Sequence, residues 1–251
     1  MGALVKIHEV FQGSVQWLQL RAGIPTASEW EALVSPKWEI RKGKMPETYL
    51  SIKAAERWRG GPLPGFSSFA TKQGKLREER ALPAFELEYK LPRLQRPGFI
   101  TNNADITQAD TIGCSPDGMM DDGCGVEAKC PEPHTHVKWL RGNKIPDEHL
   151  AQVYGSMLVT GARKWTFYSY CAKFPSLAVQ ARRDEKILKV LRTALDRFLK
   201  ELEETYAFIL EKNLGIEPDR PRLFVPSDNV DPRTLLFKGL RGENDEVGLL
   251  P

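Results

Sequence analysis

The stretch from Asp184 to Lys212 constrains the fold more than any other. Its apolar side chains Ile187, Leu191, Leu195, Phe198, Leu202, Tyr206 and Ile209 recur at helical spacing along one face. At 1.5 Å of rise per residue such a helix is about 40 Å long, enough to cross a whole sheet. Sheet material lies just upstream. Lys164 to Cys171, with Trp165, Phe167, Tyr168 and Tyr170, and Leu177 to Ala181 read as two strands. Ahead of them, after Pro146, the residues Leu150, Val153, Tyr154, Met157 and Leu158 fall at i, i+3, i+4, i+7 and i+8, the spacing of an amphipathic helix. Gly161 sits where its C-terminal cap belongs.

The N-terminal half mixes both kinds of element. Pro25 to Glu31 reads as a loop delivering the chain into a short helix, with Ser28 as N-cap and Glu31 closing a capping box. Pro36 stops that helix, and Lys37 to Pro46 is a basic loop around Trp38. A second helix is expected over Tyr49 to Trp58, broken by Gly60-Gly61-Pro62 and Pro64-Gly65, and a third over Ser68 to Glu79. Ala84 to Leu91 and Gly98 to Ile106 look like strands. Thr111 to Met120 and Val126 to Cys130 form two more, joined as a hairpin at Asp121-Asp122-Gly123. The whole is an α/β fold with a central mixed sheet flanked by helices, spanning 1–216. From Glu217 to Pro251, proline and charge are scattered without periodicity, which reads as an extended tail.

Composition excludes some functions and leaves others open. With 41% hydrophobic and 27% charged residues in 251, the chain can bury a real core. Its apolar runs are short, and Met1 to Leu20 carries Lys6, His8 and Glu9, so neither a membrane span nor a secretory signal is expected and the cytoplasm is the simplest location. The formal net charge of +3 is too slight to establish a polyanion partner. Cys114, Cys124, Cys130 and Cys171 lack C-x-x-C spacing, which argues against a zinc knuckle.

The hairpin carries the chemistry. Side chains alternate along a strand, so Glu127 and Lys129 share a face while Ala128 points away, and the hairpin returns Asp117 beside them. Two converging carboxylates make a site for hard cations. Mg²⁺ prefers one or two carboxylates, waters and the oxygens of a phosphate substrate, and the Ala128 carbonyl offers one oxygen more. A lysine beside such ions can orient or deprotonate the attacking water and balance charge on a phosphorane-like transition state. Two ions, if both bind, are expected about 3.5–4 Å apart. An isolated Glu-x-Lys would be read as a solvated ion pair worth under ~1 kcal/mol. The Pro116-Asp117 step ahead of it, with hydrophobic strands on both sides, tips the reading to a functional one.

Other clusters are weaker. His134 and His136 have no third ligand at a zinc-site spacing. Lys37, Arg41, Lys42 and Lys44 around Trp38, and Lys138, Arg141 and Lys144 around Trp139, suit phosphate contact with stacking, but solvated loop charge is the default.

Ser115-Pro116-Asp117-Gly118 followed by Glu127-Ala128-Lys129-Cys130-Pro131 is the P-D…E-x-K pattern of restriction-endonuclease-like nucleases, and it resembles the phage lambda exonuclease family of viral-recombination nucleases. Three further segments are similar to that family in chain order: Leu20 to Ser28, Gly74 to Glu78, and Ala151 to Met157. The resemblance implies Asp117, Glu127 and the Ala128 carbonyl as metal ligands and Lys129 as the catalytic lysine. It also implies Glu78 as an additional acid holding a water at the metal, and Gln152 as a glutamine facing the site. Arg21, Thr26 and Ser28 resemble the family's pocket for a 5′-terminal phosphate. The chemistry suits that role, because a helix N-terminus offers free N–H groups and arginine grips phosphate with two donors.

What the resemblance implies is a Mg²⁺-dependent exonuclease, with Mn²⁺ able to substitute, that degrades linear double-stranded DNA from its 5′ ends. It implies a ring-shaped homotrimer around the DNA, leaving 3′ single-stranded tails for a single-strand annealing protein in recombination. Within enzymes the rival is a restriction-type or structure-specific endonuclease. A helicase-associated exonuclease with an iron–sulfur cluster would need cysteines outside the catalytic core. Outside enzymes the rival is a non-catalytic DNA-binding recombination module, which has no use for converging acids that repel phosphate.

Overall fold

In the computed structural model the described residues are 5–63, 80–102 and 112–212. The expected helix over Ser68 to Glu79, the acid Glu78 and the tail from Glu217 lie outside them.

Two sheets meet at one short segment. The first is antiparallel, in the order β1 (Val5–His8), β2 (Phe99–Asn102) and β3 (Ile112–Cys114). The second is mixed, in the order β4 (Gly118–Met119), β5 (Gly125–Lys129), β6 (Lys164–Ser169) and β7 (Leu177–Arg182). β5 and β6 run parallel, with Glu127 opposite Phe167 and Lys129 opposite Ser169, whereas β4–β5 and β6–β7 are antiparallel. A parallel neighbour needs a crossover, supplied here by α4 (Pro133–Gly142) and α5 (Asp147–Thr160).

The strand expected over Thr111 to Met120 is thus two strands, one in each sheet, with Ser115-Pro116-Asp117 between them. Proline has no N–H to donate to a ladder, so the strand breaks there and the chain changes sheets. The Asp-Asp-Gly turn forms as expected: Gly123 takes φ +78°, and Asp122 Oδ1 accepts from Cys124 N at 2.9 Å.

The helices are α1 (Val15–Arg21), α2 (Lys44–Arg59), α3 (residues 80–88), α4, α5 and α6 (Glu185–Glu211), with a 3₁₀ turn at Ala27–Ala32. The Asp184 carboxylate caps α6, accepting from Lys186 N at 2.8 Å and Ile187 N at 3.3 Å. Its apolar face packs on α2 and α5. Leu191, Leu195, Phe198 and Leu202 are buried there, and Phe198 stacks on Tyr49 at 4.9 Å.

Three local expectations are corrected. Residues 84–88 of the expected strand Ala84 to Leu91 are helical. Phe85, Leu87 and Tyr89 alternate, but the buried set is Ala81, Leu82 and Phe85, a helical face, and Phe85 meets Tyr89 one turn on at 4.9 Å. Leu87 is left 82% exposed, where a core strand would have buried it. Ser28 is not a cap: Thr26 holds the N-cap position of the 3₁₀ turn and makes no side-chain cap bond. Both hydroxyls are engaged elsewhere, as described below. α2 begins at Lys44, more than a turn ahead of Tyr49, because Pro46 is tolerated in a first turn, where no intrahelical N–H bond is required.

No described helix is long and apolar enough to cross a membrane. All four cysteines are free.

Candidate active site

At the sheet junction, Asp117 completes the edge of β5. β4 begins only at Gly118, so it pairs with Val126 and Gly125 and leaves the next outward-facing N–H of β5, that of Ala128, without a main-chain partner. The Asp117 carboxylate takes that place: its Oδ2 accepts from Ala128 N at 2.7 Å. Within a strand, the N–H and C=O of one residue lie on the same edge. The Ala128 carbonyl therefore opens beside Asp117, while Lys129 O, on the opposite edge, accepts from Tyr170 N at 2.8 Å.

Glu127 stands next to this edge, 2% exposed. A buried carboxylate is costly unless paired and hydrogen-bonded, and both conditions are met. Lys129 Nζ donates to its Oε1 at 2.5 Å and Gln152 Nε2 donates to the same oxygen at 2.6 Å. Glu127 and Lys129 do share a face, as strand alternation requires. Gln152 reaches them because α5 packs against β5 and β6. Three polar side chains of α5 follow one another along this surface. Ser156 bonds the Cys114 thiol, Gln152 bonds Glu127, and His149 lies close enough to Lys129 to feel its charge. Burial, and then the nearby Glu127 charge, push the Cys114 thiol well above its usual range, so this cysteine stays protonated and unreactive.

A second cluster sits on the same connecting segment. The Arg21 guanidinium, at the C-terminal end of α1, lies over the Trp17 ring at 4.3 Å. It donates to Ser115 Oγ at 3.2 Å, Thr26 Oγ1 at 3.0 Å and Ser28 Oγ at 3.1 Å. Burial lowers its pKa from the ordinary arginine value, with the Glu29 charge opposing, and a guanidinium remains a cation in either case. Thr26 is fully buried, and its hydroxyl is a link in a chain: it accepts from Arg21 and donates to Glu29 Oε2 at 2.8 Å. Glu29 is held in turn by Lys53 at 3.1 Å. Of the three residues expected to form an anion pocket, Thr26 thus faces inward and positions Arg21, while Ser28 is exposed.

Two contributors were not assigned from the sequence. Ser115 accepts both Trp17 Nε1 at 2.9 Å and Arg21, which ties the arginine cluster to the residue two before Asp117. Trp17 and Arg21, four apart on a helix, were the available signal. The main chain reinforces the tie, since Gly113 N donates to Pro25 O at 3.1 Å. His136 has a structural place: its ring nitrogens are bonded to Ser169 Oγ at 2.7 Å and Pro175 O at 2.8 Å.

The donor set fits a hard cation. Asp117, Glu127 and the Ala128 carbonyl are oxygen donors converging at one strand edge, the chemistry Mg²⁺ favours over nitrogen and sulfur. Among the described residues no third acidic, histidine or cysteine side chain completes a three-member cluster with them.

Residues 16–163 match the family model described as the YqaJ-like viral recombinase domain. The chain belongs to this family. The matched span runs from α1 to the end of α5 and so contains both clusters. In solved structures the chain is similar to the alkaline exonuclease LHK-Exo from Laribacter hongkongensis, at 24% identity and TM-score 0.70 over 79% of this chain and 97% of that one. The same values hold for LHK-Exo in complex with dAMP. A phage-related exonuclease from Haemophilus somnus 129PT is similar at 12% identity and TM-score 0.55, over 76% of this chain and 96% of that one. At these identities the likeness establishes the fold, which is that of the alkaline exonucleases, restriction-endonuclease-like. No curated protein matches this YqaJ-like chain significantly.

Proposed function

We propose that this YqaJ-family chain is a metal-dependent exonuclease that degrades linear double-stranded DNA in the 5′-to-3′ direction. It releases mononucleotides and leaves 3′ single-stranded tails for recombination by strand annealing. Family membership and the alkaline-exonuclease fold support a DNA exonuclease role. The observation that carries the finer reading is the convergence of Asp117, Glu127, Lys129 and Gln152 at a sheet junction that also holds the Arg21 cluster.

Asp117, Glu127 and the Ala128 carbonyl would hold Mg²⁺, with Mn²⁺ as a substitute and two ions per site in the full form. A cation held there would supply Lewis-acid polarisation of the scissile phosphate and offset charge on the leaving oxygen. Gln152 fixes the Glu127 carboxylate. Lys129 orients the attacking water and stabilises the charge that grows on the phosphorus oxygens, a term that matters most at a site closed to bulk water. Glu78 is the proposed additional acid. Arg21 grips the 5′-terminal phosphate together with the exposed Ser28 hydroxyl, while Thr26 and Glu29 hold the guanidinium in place behind them.

The proposed assembly is a homotrimeric ring around the duplex, working with a single-strand annealing protein in the cytoplasm of a bacterial or phage-infected cell. Enclosure accounts for the modest charge of +3, because a ring need not grip tightly to remain on DNA. A monomer in solution that stayed highly processive would refute that account.

The test uses 5′-phosphorylated linear duplex and Mg²⁺, with Lys129→Ala and covalently closed circular duplex as controls. Mononucleotides should be released from the 5′ ends and not from the 3′ ends, with none from the variant and no attack on the circle. Cleavage of the circle would make the enzyme an endonuclease. A folded sample inert toward every DNA form would end the nuclease reading.

A further inference from the structure

His149 belongs to neither cluster, yet it stands beside one. It opens the polar row on α5 that continues with Gln152 and Ser156, and it occupies the end of that row nearest Lys129. Its position is fixed by aromatic rings. The imidazole stacks on Phe167 at 5.2 Å and 26°, and Trp139 meets it edge-on at 5.3 Å and 87°. Phe167 is the β6 partner of Glu127, so the stack sits directly beside the carboxylate along the sheet. The ring is half-buried, and no hydrogen bond to the protein engages either nitrogen among the described residues.

Burial in this aromatic setting, with Lys129 adding to it, lowers the His149 pKa to about 3. The imidazole is therefore uncharged at any working pH, with one N–H donor and one acceptor nitrogen. An uncharged donor suits this location. A second cation beside Lys129 and a divalent metal would be repelled, whereas a neutral N–H can approach a phosphate oxygen without competing with either.

We propose that His149 is a substrate-contacting residue that donates a hydrogen bond to a phosphate oxygen of the strand being cut. This rests on the nuclease reading above. Hydrogen bonds to charged groups are worth enough that losing this one should lower kcat/KM by about 10- to 100-fold. The alternative is that His149 only fills the aromatic cluster.

Two substitutions separate these roles. His149→Phe keeps a ring for the stack and removes the donor, whereas His149→Gln keeps a donor and removes the ring. kcat and KM are measured on linear duplex with Mg²⁺, the affinity for the same duplex is measured by fluorescence anisotropy with Ca²⁺ in place of Mg²⁺, and thermal unfolding is followed throughout. Contact predicts that His149→Phe unfolds like the wild type but loses 10-fold or more in kcat/KM, while His149→Gln retains more activity than His149→Phe despite lower stability. Activity of His149→Phe within twofold of wild type overturns the proposal, as does a loss in both variants that simply follows their unfolding temperatures. If wild-type protein neither cuts nor binds duplex, the nuclease reading fails and takes this inference with it. If wild type cuts normally and His149→Phe does too, only the inference fails.

Discussion

His149 should make the folding stability depend on pH in a way that one substitution removes. In the unfolded chain its pKa is the ordinary 6.5, and in the folded protein it is about 3. Between these values the unfolded state binds the proton and the folded state does not, so acid favours unfolding. The stability is intact above pH 6.5 and is lost progressively as pH falls toward 3. From pH 7 to pH 5 the term amounts to about 2 kcal/mol, because at pH 5 the unfolded imidazole is almost fully protonated and the folded one almost fully neutral. Urea denaturation of the wild type and of His149→Phe at pH 7 and pH 5 isolates the term, as the remaining titrating groups are common to both proteins. The wild type should lose about 2 kcal/mol more than the variant over this interval. Equal losses to within ~0.5 kcal/mol would show that His149 titrates normally, and that its packing between Trp139 and Phe167 is looser than described.

Two further outcomes test the packing around the site. Gly155 lies where α5 crosses the 3₁₀ turn, and a Cβ there would stand 2.5 Å from the Trp30 ring and 3.1 Å from Ala27 Cβ. Trp30 is fully buried and has no room to swing away, so Gly155→Ala should destabilise by about 1–3 kcal/mol despite its better helix propensity; an unchanged thermal midpoint would contradict the contact. Asp184→Ala removes the cap of α6 and should cost about 1 kcal/mol in urea denaturation, with little effect on nuclease activity.

The parts of the fold legible in the sequence were those whose local pattern and tertiary burial agree. In α5 and α6 the apolar spacing coincides with the buried face, and in β6 and β7 strand composition coincides with the ladder. The misreadings occur where the two disagree. The alternation of Phe85, Leu87 and Tyr89 mimics a strand, but only Phe85 of the three is buried, and the contacts one helical turn apart prevail. Ser28 and Glu31 match a capping box, but Arg21 draws the Ser28 hydroxyl away, a long-range charge effect absent from local spacing. The pairing of Glu127 with Lys129 follows from strand periodicity alone. The positions of Gln152 and Ser115 depend on how α5 and α1 dock, which no local pattern records. Thr26 is buried and accepts a hydrogen bond from Arg21, a placement set by how the segment after α1 packs and not by its local pattern.

The proximity of the two clusters makes a prediction of its own. Five residues lie between Ile112 and Gly118, and within that span the chain leaves one sheet, bonds Arg21 through Ser115, bonds β5 through Asp117 and enters the other sheet. Arg21 and Asp117, the proposed end-gripping and metal-binding residues, are so connected that a shift of one should be felt by the other. Replacing Ser115 by alanine removes one of the three oxygens that Arg21 donates to, and it leaves Trp17 Nε1 its second acceptor, Gly98 O at 3.1 Å, so no buried donor is orphaned. The expected loss of stability is therefore modest, about 1 kcal/mol. A double-mutant cycle with Arg21→Ala should show a coupling of about 0.5–1.5 kcal/mol in kcat/KM on 5′-phosphorylated duplex. The coupling should vanish on duplex with a 5′-hydroxyl end, where the grip has nothing to hold. Additive losses on both substrates would mean that end recognition and cutting are joined by something other than this segment.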